Sequence, residues 1–440
     1  MVEGSRRHSF TRRDVLRTLG RTALVSPFAG SVLLNTACGG SSGGNSLTPP
    51  ISDDQFLDYL ERACFLFFWE QASATTGQVK DRAAASGNDT RTVSSIASTG
   101  FGLTALCIAD QRGYMNSASI QTRVLATLNF LANQSNVNGF FYHWVDMNSG
   151  QRSGTSEVSS IDTAILLCGV LTCRQHFQNT RIQSLATQLY EQVNWPWMLN
   201  GGVTFSQGWT PENGFLTTRW DTYSELLMLY LLAIGSITLP IASSSWDQFA
   251  RPTLTYDGLT YITNYSAPLF IHQFSHAWFD FRNVQDAYTN YFNNSVTATQ
   301  AHKLFCLSLA SQFSDYQDSL WGITASDTEN NGYQAWGGPP AMGPIDGSVV
   351  PSAAAGSLPF TPLICLPVLR NIYDKFPQAS GRYGFVGAFN PLTGWFDPDV
   401  VGIQTGITML MAENQRSNFV WDTFMKNPEV TSAMTAVGFH

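Results

Sequence analysis

The chain of 440 residues sets 24 Lys and Arg against 32 Asp and Glu, a formal charge of −8. No basic cluster lies beyond the N-terminus, so nothing matches a phosphate backbone and nucleic acid is not an expected partner. Charged residues are only 13% while aromatics reach 13%, which describes a polar and aromatic surface more than an ionic one, and the length allows one large helical or barrel domain or two ordinary ones.

In chain order, residues 1–38 read as an export address. Thr11-Arg12-Arg13-Asp14-Val15-Leu16 is a twin-arginine pattern, and the modestly apolar run after it is interrupted by Arg21 and Pro27, too poor for a membrane span. Cys38 follows Leu33-Leu34-Asn35-Thr36-Ala37 as a lipobox cysteine would, with Asn35 where such boxes carry an apolar residue. Lipid anchoring through Cys38 and cleavage with release both remain open; either places the protein in the periplasm or cell envelope. Residues 39–52, opening with GGSSGGNSLTPP, form a flexible tether.

From Asp53 to the end the periodicity is helical. From DQFLDYLERACFLFFWEQA through IDTAILLCGVLTCRQHF and YSELLMLYLLAIG to GITMLMAENQRS, apolar residues recur three and four apart, and no comparable strand alternation is present. Several segments are apolar nearly all round, as an inner ring of helices shielded by an outer one would be. The expected fold is therefore all-α, a toroid of paired helices in a single domain over 53–440. The long irregular stretches 136–156, 200–220, 326–350 and 376–399 are the expected rim of a pocket. Cys64, Cys107, Cys168, Cys173, Cys306 and Cys365 lie in apolar helix-like runs without metal-ligand spacing, and are expected as buried free thiols.

Three acidic clusters sit at these stretches. In FFYHWVDMNSGQRSGTSEVSSIDTA (Phe140 to Ala164), Ser159 and Asp162 have capping-box spacing, so Asp162 is expected to start a helix and do no chemistry; Glu157 and Asp146 are freer to face a pocket. In GFLTTRWDTYSELLMLY, Asp221 and Glu225 are four apart and share a face of a helix start, while Thr222 and Glu225 also have capping-box spacing, which the spacing alone favours. In GWFDPDVVGIQTG, Asp397 and Asp399 flank Pro398 before a helix that Asp399 is placed to cap. His272 and His276 are also four apart, yet Gln273 stands where a zinc protease needs glutamate; with Trp278, Asp280 and Arg282 nearby, hydrogen bonding to a polyhydroxylated ligand or a structural network is expected. Each cluster combines carboxylates with rings (Trp144, Trp220, Trp278, Trp336, Trp395, Tyr142, Tyr223). Sugars present C–H faces that stack on rings and hydroxyls that bond to carboxylates, so the combination points to carbohydrate chemistry. No metal and no cofactor is expected.

Eight ordered blocks carry a resemblance: FLFFWEQASATTGQVKDR, SIASTGFGLTAL, FFYHWVDMNSGQR with SEVSSIDTAILL, RWDTYSELLMLYLLA, HQFSHAWFDFR, LWGITASD, GRYGFVGAFN with GWFDPDVVGI, and MAENQRSNFVW. Together they resemble the bacterial glucoamylase-like domain family, whose characterised members are similar to glycoside hydrolase family 144, endo-acting β-1,2-glucanases with an (α/α)6 barrel and no metal requirement. The resemblance implies an inverting hydrolase of β-glucan. Its pocket acids fall on Glu157 and Glu225, with Asp146, Asp397 and Asp399. It moves Glu225 from helix cap to general acid and leaves Glu157, Asp146, Asp397 or Asp399 to activate water, directly or through a relay. Tyr142, His143, Arg219, Trp220, Asp221, His272, His276, Trp278 and Trp395 would hold the sugar rings. One departure stands out: relatives often carry Asp-Gln-Gly-Pro where this chain has Gln404-Thr405-Gly406-Ile407, which touches linkage or chain-length preference. The rival readings are transglycosylation or exo-action on the same barrel, and a catalytically silent sugar-binding surface lipoprotein. A monomer is expected.

Overall fold

Side-chain caps written into the sequence set many of the helix starts. The computed structural model describes residues 51–264 and 268–440; the twin-arginine, lipobox and most of the tether readings lie outside them. Helix α1 (Asp53–Glu70) opens on a reciprocal capping box, Ser52 accepting from the Gln55 amide and Gln55 returning the bond. Ser95, Asn116, Ser159 and Asn179 each accept a backbone N–H to start α2 (Ile96–Arg112), α3 (Ser117–Asn133), α4 (Ser160–His176) and α5 (Thr180–Glu191). Then come α6 (Trp195–Leu199), α7 (Leu227–Gly235), α8 (Tyr291–Ser308), α9 (Pro351–Ala355), α10 (Pro362–Lys375), α11 (Gly402–Ser417), α12 (Phe419–Phe424) and α13 (Pro428–Ala436).

Burial sorts these helices into two kinds. Helix α2 is buried without interruption from Ile96 to Ala109, α4 from Ser160 to Cys173, and α7 throughout. By contrast α3 buries one stripe (Ile120, Val124, Leu128, Leu131) and α5 another (Ile182, Leu185, Leu189), as the sequence periods require of outer helices. Helices α2 and α4 approach so closely that a Cβ on Gly100 would meet the Ile165 carbonyl at 2.5 Å, so only glycine fits there. The six described cysteines are buried free thiols, with Cys107 and Cys173 Sγ in hydrogen-bond contact at 3.6 Å between α2 and α4. Among the described residues no helix is long and apolar enough to cross a membrane.

The all-α expectation describes the frame and misses the rim. Short antiparallel strands occupy the irregular stretches: β1 (Arg82–Ala84), β2 (Val93–Ser95), β3 (Trp144–Asp146), β4 (Val158–Ser159), β5 (Phe205–Ser206), β6 (Gly208–Thr210), β7 (Gly214–Phe215) and β8 (Arg219–Trp220). After the hairpin β9 (Thr253–Tyr256) and β10 (Leu259–Ile262) follow β11 (Ser380–Gly381), β12 (Gly384–Phe385), β13 (Phe389–Asn390), β14 (Trp395–Phe396) and β15 (Asp399–Val401). Strands this short carry too little alternation to be seen in a sequence. Ala84 pairs with Asp399, Ser95 with Trp144 and Val158 with Trp209.

Three of these strands run straight into buried helices: β2 into α2, β4 into α4 and β15 into α11. The Ile96 amide donates to the His143 carbonyl (3.2 Å), the His143 amide to Glu157 (2.9 Å), and the Gly402 amide to Asp81 (2.8 Å). The starts of three buried helices are thereby stitched into one patch by the segments around Asp81 and His143, where several of the candidate side chains gather.

Candidate active site

The patch is built outward from His143. Its ring stacks on Trp144, centroids 3.6 Å apart and planes 15° from parallel. The Trp144 indole donates to Asp81 Oδ1 (3.1 Å), Asp81 Oδ2 pairs with Arg82 Nε (3.1 Å), and Arg82 Nη1 reaches Asp327 Oδ2 (2.5 Å). Burial alone would raise the pKa of Asp81; the Arg82 charge and the indole override it and hold the carboxyl below its ordinary value. At Asp327 the balance reverses, burial pushing the carboxyl up against the pull of Arg82, with the charges of Asp399 and Asp81 adding to the rise.

On its other side His143 Nδ1 lies 3.0 Å from Glu157 Oε1 and 3.5 Å from Asp162 Oδ2. Asp162 is held by Ser159, whose Oγ donates to Asp162 Oδ2 (2.7 Å) and accepts from the Asp162 amide (3.2 Å). Ser159 therefore caps α4, but the expected capping box is only half made: the Ser159 amide donates to the Phe141 carbonyl (3.0 Å), and the Asp162 carboxylate takes the Ser159 hydroxyl while facing His143, which corrects its exclusion. Glu157 Oε2 is buried without a hydrogen-bond partner among the described residues. His143, Glu157 and Asp162 bring potential metal-ligating atoms within 4.8 Å of one another; sequence spacing hid this set, because it joins a loop, a strand approach and a helix start.

Asp397 lies across the patch, 3% exposed. Its Oδ1 accepts from the Asp399 amide (2.9 Å), while Oδ2 is buried without a partner among the described residues. Burial, then the charges of Asp327 and Asp399, push this carboxyl up to about 7. A Cβ on Gly387 would collide with Asp397 Oδ2 and come within 3.3 Å of Gln404 Oε1. Gln404 donates to the Ala325 carbonyl (2.8 Å) and its Oε1 is likewise buried and unpartnered. Two acceptors thus open beside one glycine, where a protonated carboxyl or a sugar hydroxyl can supply the missing donor.

Glu225 is 3% exposed and precedes α7, which begins only at Leu227 with no side-chain cap. The capping box expected from Thr222 to Glu225 does not form. Pairing with Ala250 is the reason: the Tyr223 amide donates to the Ala250 carbonyl and the Ala250 amide to Asp221, each 2.8 Å, so this segment is drawn into a bridge instead of a helical turn. The Glu225 carbonyl accepts from Ser275 Oγ (2.7 Å). Just upstream, the Trp220 indole donates to Ser160 Oγ (2.9 Å) at the start of α4, three residues from Glu157.

Other expected site residues are placed differently. Asp221 is exposed and shares no helical face with Glu225. Arg219 is a clamp, Nε on Thr204 Oγ1 and Nη2 on the Leu199 carbonyl, both 2.8 Å. Asp146 receives the amides of Asn148 (3.1 Å) and Ser149 (2.9 Å) and holds its own turn, the Ser149 amide first among the bonds that keep its carboxyl below the ordinary value. Asp399 grips Arg91 with both oxygens at 2.6 Å and does not cap α11, whose N-cap is Val401. His272 and His276 are core residues on two short 3-10 turns, not one α-helical face. His272 Nδ1 meets Tyr223 Oη (3.1 Å) and His276 Nε2 meets Ser295 Oγ (3.1 Å), and burial pushes both imidazoles down to about 3. Trp278 is fully buried, donating to Thr104 Oγ1 (2.9 Å), and Trp336 and Tyr223 are buried with it. Tyr142, Trp220 and Trp395 stay half-buried, packed against the core, with the Arg152 guanidinium 5.2 Å from the Tyr142 ring centroid. Sequence reasoning missed Asp81, Arg82, Asp327 and Asp162; the first three stand inside the quoted blocks GQVKDR and LWGITASD, the only signal that marked them.

Comparison with known proteins gives this geometry a context. The Glycoamylase family model, described as "Putative glucoamylase", matches residues 217–428. An exo beta-1,2-glucooligosaccharide sophorohydrolase (non-reducing end) from Parabacteroides distasonis is 26% identical over 96% of this chain and 63% of its own length, so this chain spans less than two thirds of that relative. A Bacteroides uniformis protein of the same description as the family superposes with TM-score 0.83 at 26% identity, covering 89% of this chain and 98% of its own. The endo-beta-1,2-glucanase of Chitinophaga pinensis, solved with sophorotriose and glucose, superposes with TM-score 0.81 at 26% identity, covering 89% and 99%. The match over residues 217–428 and the shared fold bear out the resemblance of this chain to the glucoamylase-like domain family.

Proposed function

We propose that the chain is a glycoside hydrolase that cleaves β-1,2-linked glucan by inversion, its buried helices forming the inner ring of an (α/α)6 barrel and its site lying over their starts. One observation carries the reading: the end-to-end likeness to the Chitinophaga pinensis endo-β-1,2-glucanase, in a chain that gathers buried carboxyls at one rim. Glu225, buried just ahead of α7, protonates the leaving oxygen. Of the acids left for water, Asp146 and Asp399 are committed to a turn and to Arg91, so Glu157 and Asp397 carry that step, directly or through a substrate hydroxyl. Trp220, Trp395 and Tyr142 supply faces for the rings. Incubation with linear β-1,2-glucan should release new reducing ends, and NMR of the first product should show the inverted anomer. Binding without product would leave a sugar-binding protein and sink the hydrolase reading.

The Parabacteroides distasonis relative favours a second mode, exo-release of sophorose from non-reducing ends. Early products decide: a ladder of lengths for endo-action, sophorose alone for exo-action. Export through the twin-arginine pattern, with Cys38 as anchor or cleavage point, belongs to the same proposal. The mass of the mature protein from the membrane fraction tests it, since a diacylglyceryl Cys38 terminus and a shorter unmodified one differ plainly.

A further inference from the structure

Glu157 does not stand alone at the patch. Its Oε1 faces His143 Nδ1 at 3.0 Å, and the same nitrogen faces Asp162 Oδ2 at 3.5 Å. A carboxylate accepts hydrogen bonds, so the nitrogen facing Glu157 Oε1 carries the proton and the imidazole donates to that oxygen, with the Asp162 carboxylate at its flank favouring the same tautomer. The ring has little freedom to turn away, being stacked on Trp144 at 3.6 Å, with its own backbone N–H bonded to the Glu157 carbonyl (2.9 Å). Asp162 is fixed in turn by the N-cap Ser159 at the start of α4. The side chains of His143 and Asp162 are 7% and 2% exposed, and that of Glu157 is 13%.

We propose that Asp162 and His143 are positioning residues that aim Glu157: the Nδ1–H ties down Oε1, and Oε2, buried and without a partner among the described residues, is left as the oxygen that takes a proton from water or from a substrate hydroxyl. No bond is made or broken at His143 or Asp162; they hold an orientation set by the helix start. The inference rests on the reading of Glu157 as the water-activating acid, and adds to it two residues, one of which looked from the sequence like a helix cap and nothing more.

The experiment compares Glu157→Gln, Asp162→Asn, His143→Ala and His143→Asn on β-1,2-glucan, with Ser95→Ala, which removes the corresponding cap of α2, as a control for mere helix loosening. Asp162→Asn and His143→Ala should each lower kcat by roughly tenfold to a hundredfold with little change in KM, as misaiming a reacting group by a fraction of an ångström does, and should move the acidic limb of the kcat–pH profile. His143→Asn, whose Nδ2 reproduces the position of Nδ1–H, should recover most of what His143→Ala loses. Ser95→Ala should lower the melting temperature without moving the pH profile. If Asp162→Asn and His143→Ala keep the parental kcat and pH profile while Glu157→Gln is inactive, the positioning proposal is wrong and the reading of Glu157 stands. If Glu157→Gln turns over normally, both fall together. If Asp162→Asn fails to fold, the two His143 variants decide, because neither touches the cap. Loss of parental activity on chelation, restored by zinc or calcium ions, would show these side chains to be metal ligands and overturn the proposal.

Discussion

The histidine beside Glu157 and the pair in HQFSH look alike in the sequence, each flanked by aromatics and near acids. Their surroundings differ completely. His143 sits where two helix starts meet and faces two carboxylates; His272 and His276 sit behind α7 among Phe281, Phe292, Phe360 and Tyr261, bonded to hydroxyls. An imidazole between carboxylates can orient or exchange a proton, whereas one buried among rings is held neutral and only fills space and satisfies a hydroxyl. Residue type is thus a weak guide, and location relative to the helix starts is a strong one.

The widest test of that contrast is Glu225→Gln against a core substitution. Gln keeps the shape of Glu225 but has no carboxyl proton to deliver, so turnover of β-1,2-glucan should fall about 10²–10⁴-fold while the protein melts within a few degrees of the parent. Near-normal turnover would remove Glu225 from the mechanism and leave Asp397, held near 7, as the proton donor. On the core side, Trp278→Ala deletes a fully buried ring packed on Phe101 at 4.9 Å and bonded to Thr104. It should cost about 3–5 kcal/mol of stability, read by denaturant titration, while KM of the folded fraction stays parental. A selective rise in KM would return Trp278 to the sugar site.

What the sequence showed follows the reach of each signal. Periodicities of three and four revealed the helices and showed that several are apolar nearly all round, as α2, α4 and α7 are buried nearly throughout; Ser159 and Asp162 announced the start of α4 because a cap is local. Contacts between distant segments left no local trace: Arg82 and Asp327 are 245 residues apart, and nothing in either neighbourhood names the other. The cap wrongly favoured for Glu225 failed for a related reason, since the partner that pulls its segment out of helix is Ala250, more than twenty residues away. His272 and His276 misled because a spacing of four implies one face only on an α-helix, and these turns are 3-10.

The same contrast can be sharpened by pH. His272 and His276 have folded values of about 3 against an ordinary 6.5. Between those values the unfolded chain binds more protons, so their contribution to stability is complete above about 6.5 and is lost as pH falls toward 3. Asp397 has the opposite sign. Its folded value of about 7 exceeds the ordinary 3.8, so the folded chain binds the extra proton, and the associated stability is present below about 4 and lost as pH rises through 7. Asp397→Asn, which never ionises, should therefore melt higher than the parent at pH 8 and lose that advantage by pH 4. An advantage that is equal at both pH values would mean that Asp397 stays ionised.

The smallest expected effect concerns Asp146, which separates a turn-holding acid from a reacting one inside the same loop. Its carboxylate accepts from two successive backbone amides and the Ser149 hydroxyl, and those donors favour the ionised form. An acid held low in this way makes a poor proton donor and, with Oδ1 taken by three donors, a weakened base. Asp146→Asn keeps an acceptor oxygen for the same amides at reduced strength, so the expected loss is about 0.5–1.5 kcal/mol of stability, the size of a single hydrogen bond. Turnover should stay within about threefold of the parent, because β3 and its pairing with β2 leave His143 and Trp144 in place. A melt like the parent's combined with a hundredfold fall in kcat would reverse the assignment: the turn would then be incidental, and the loop would present Asp146 to the sugar alongside Glu157.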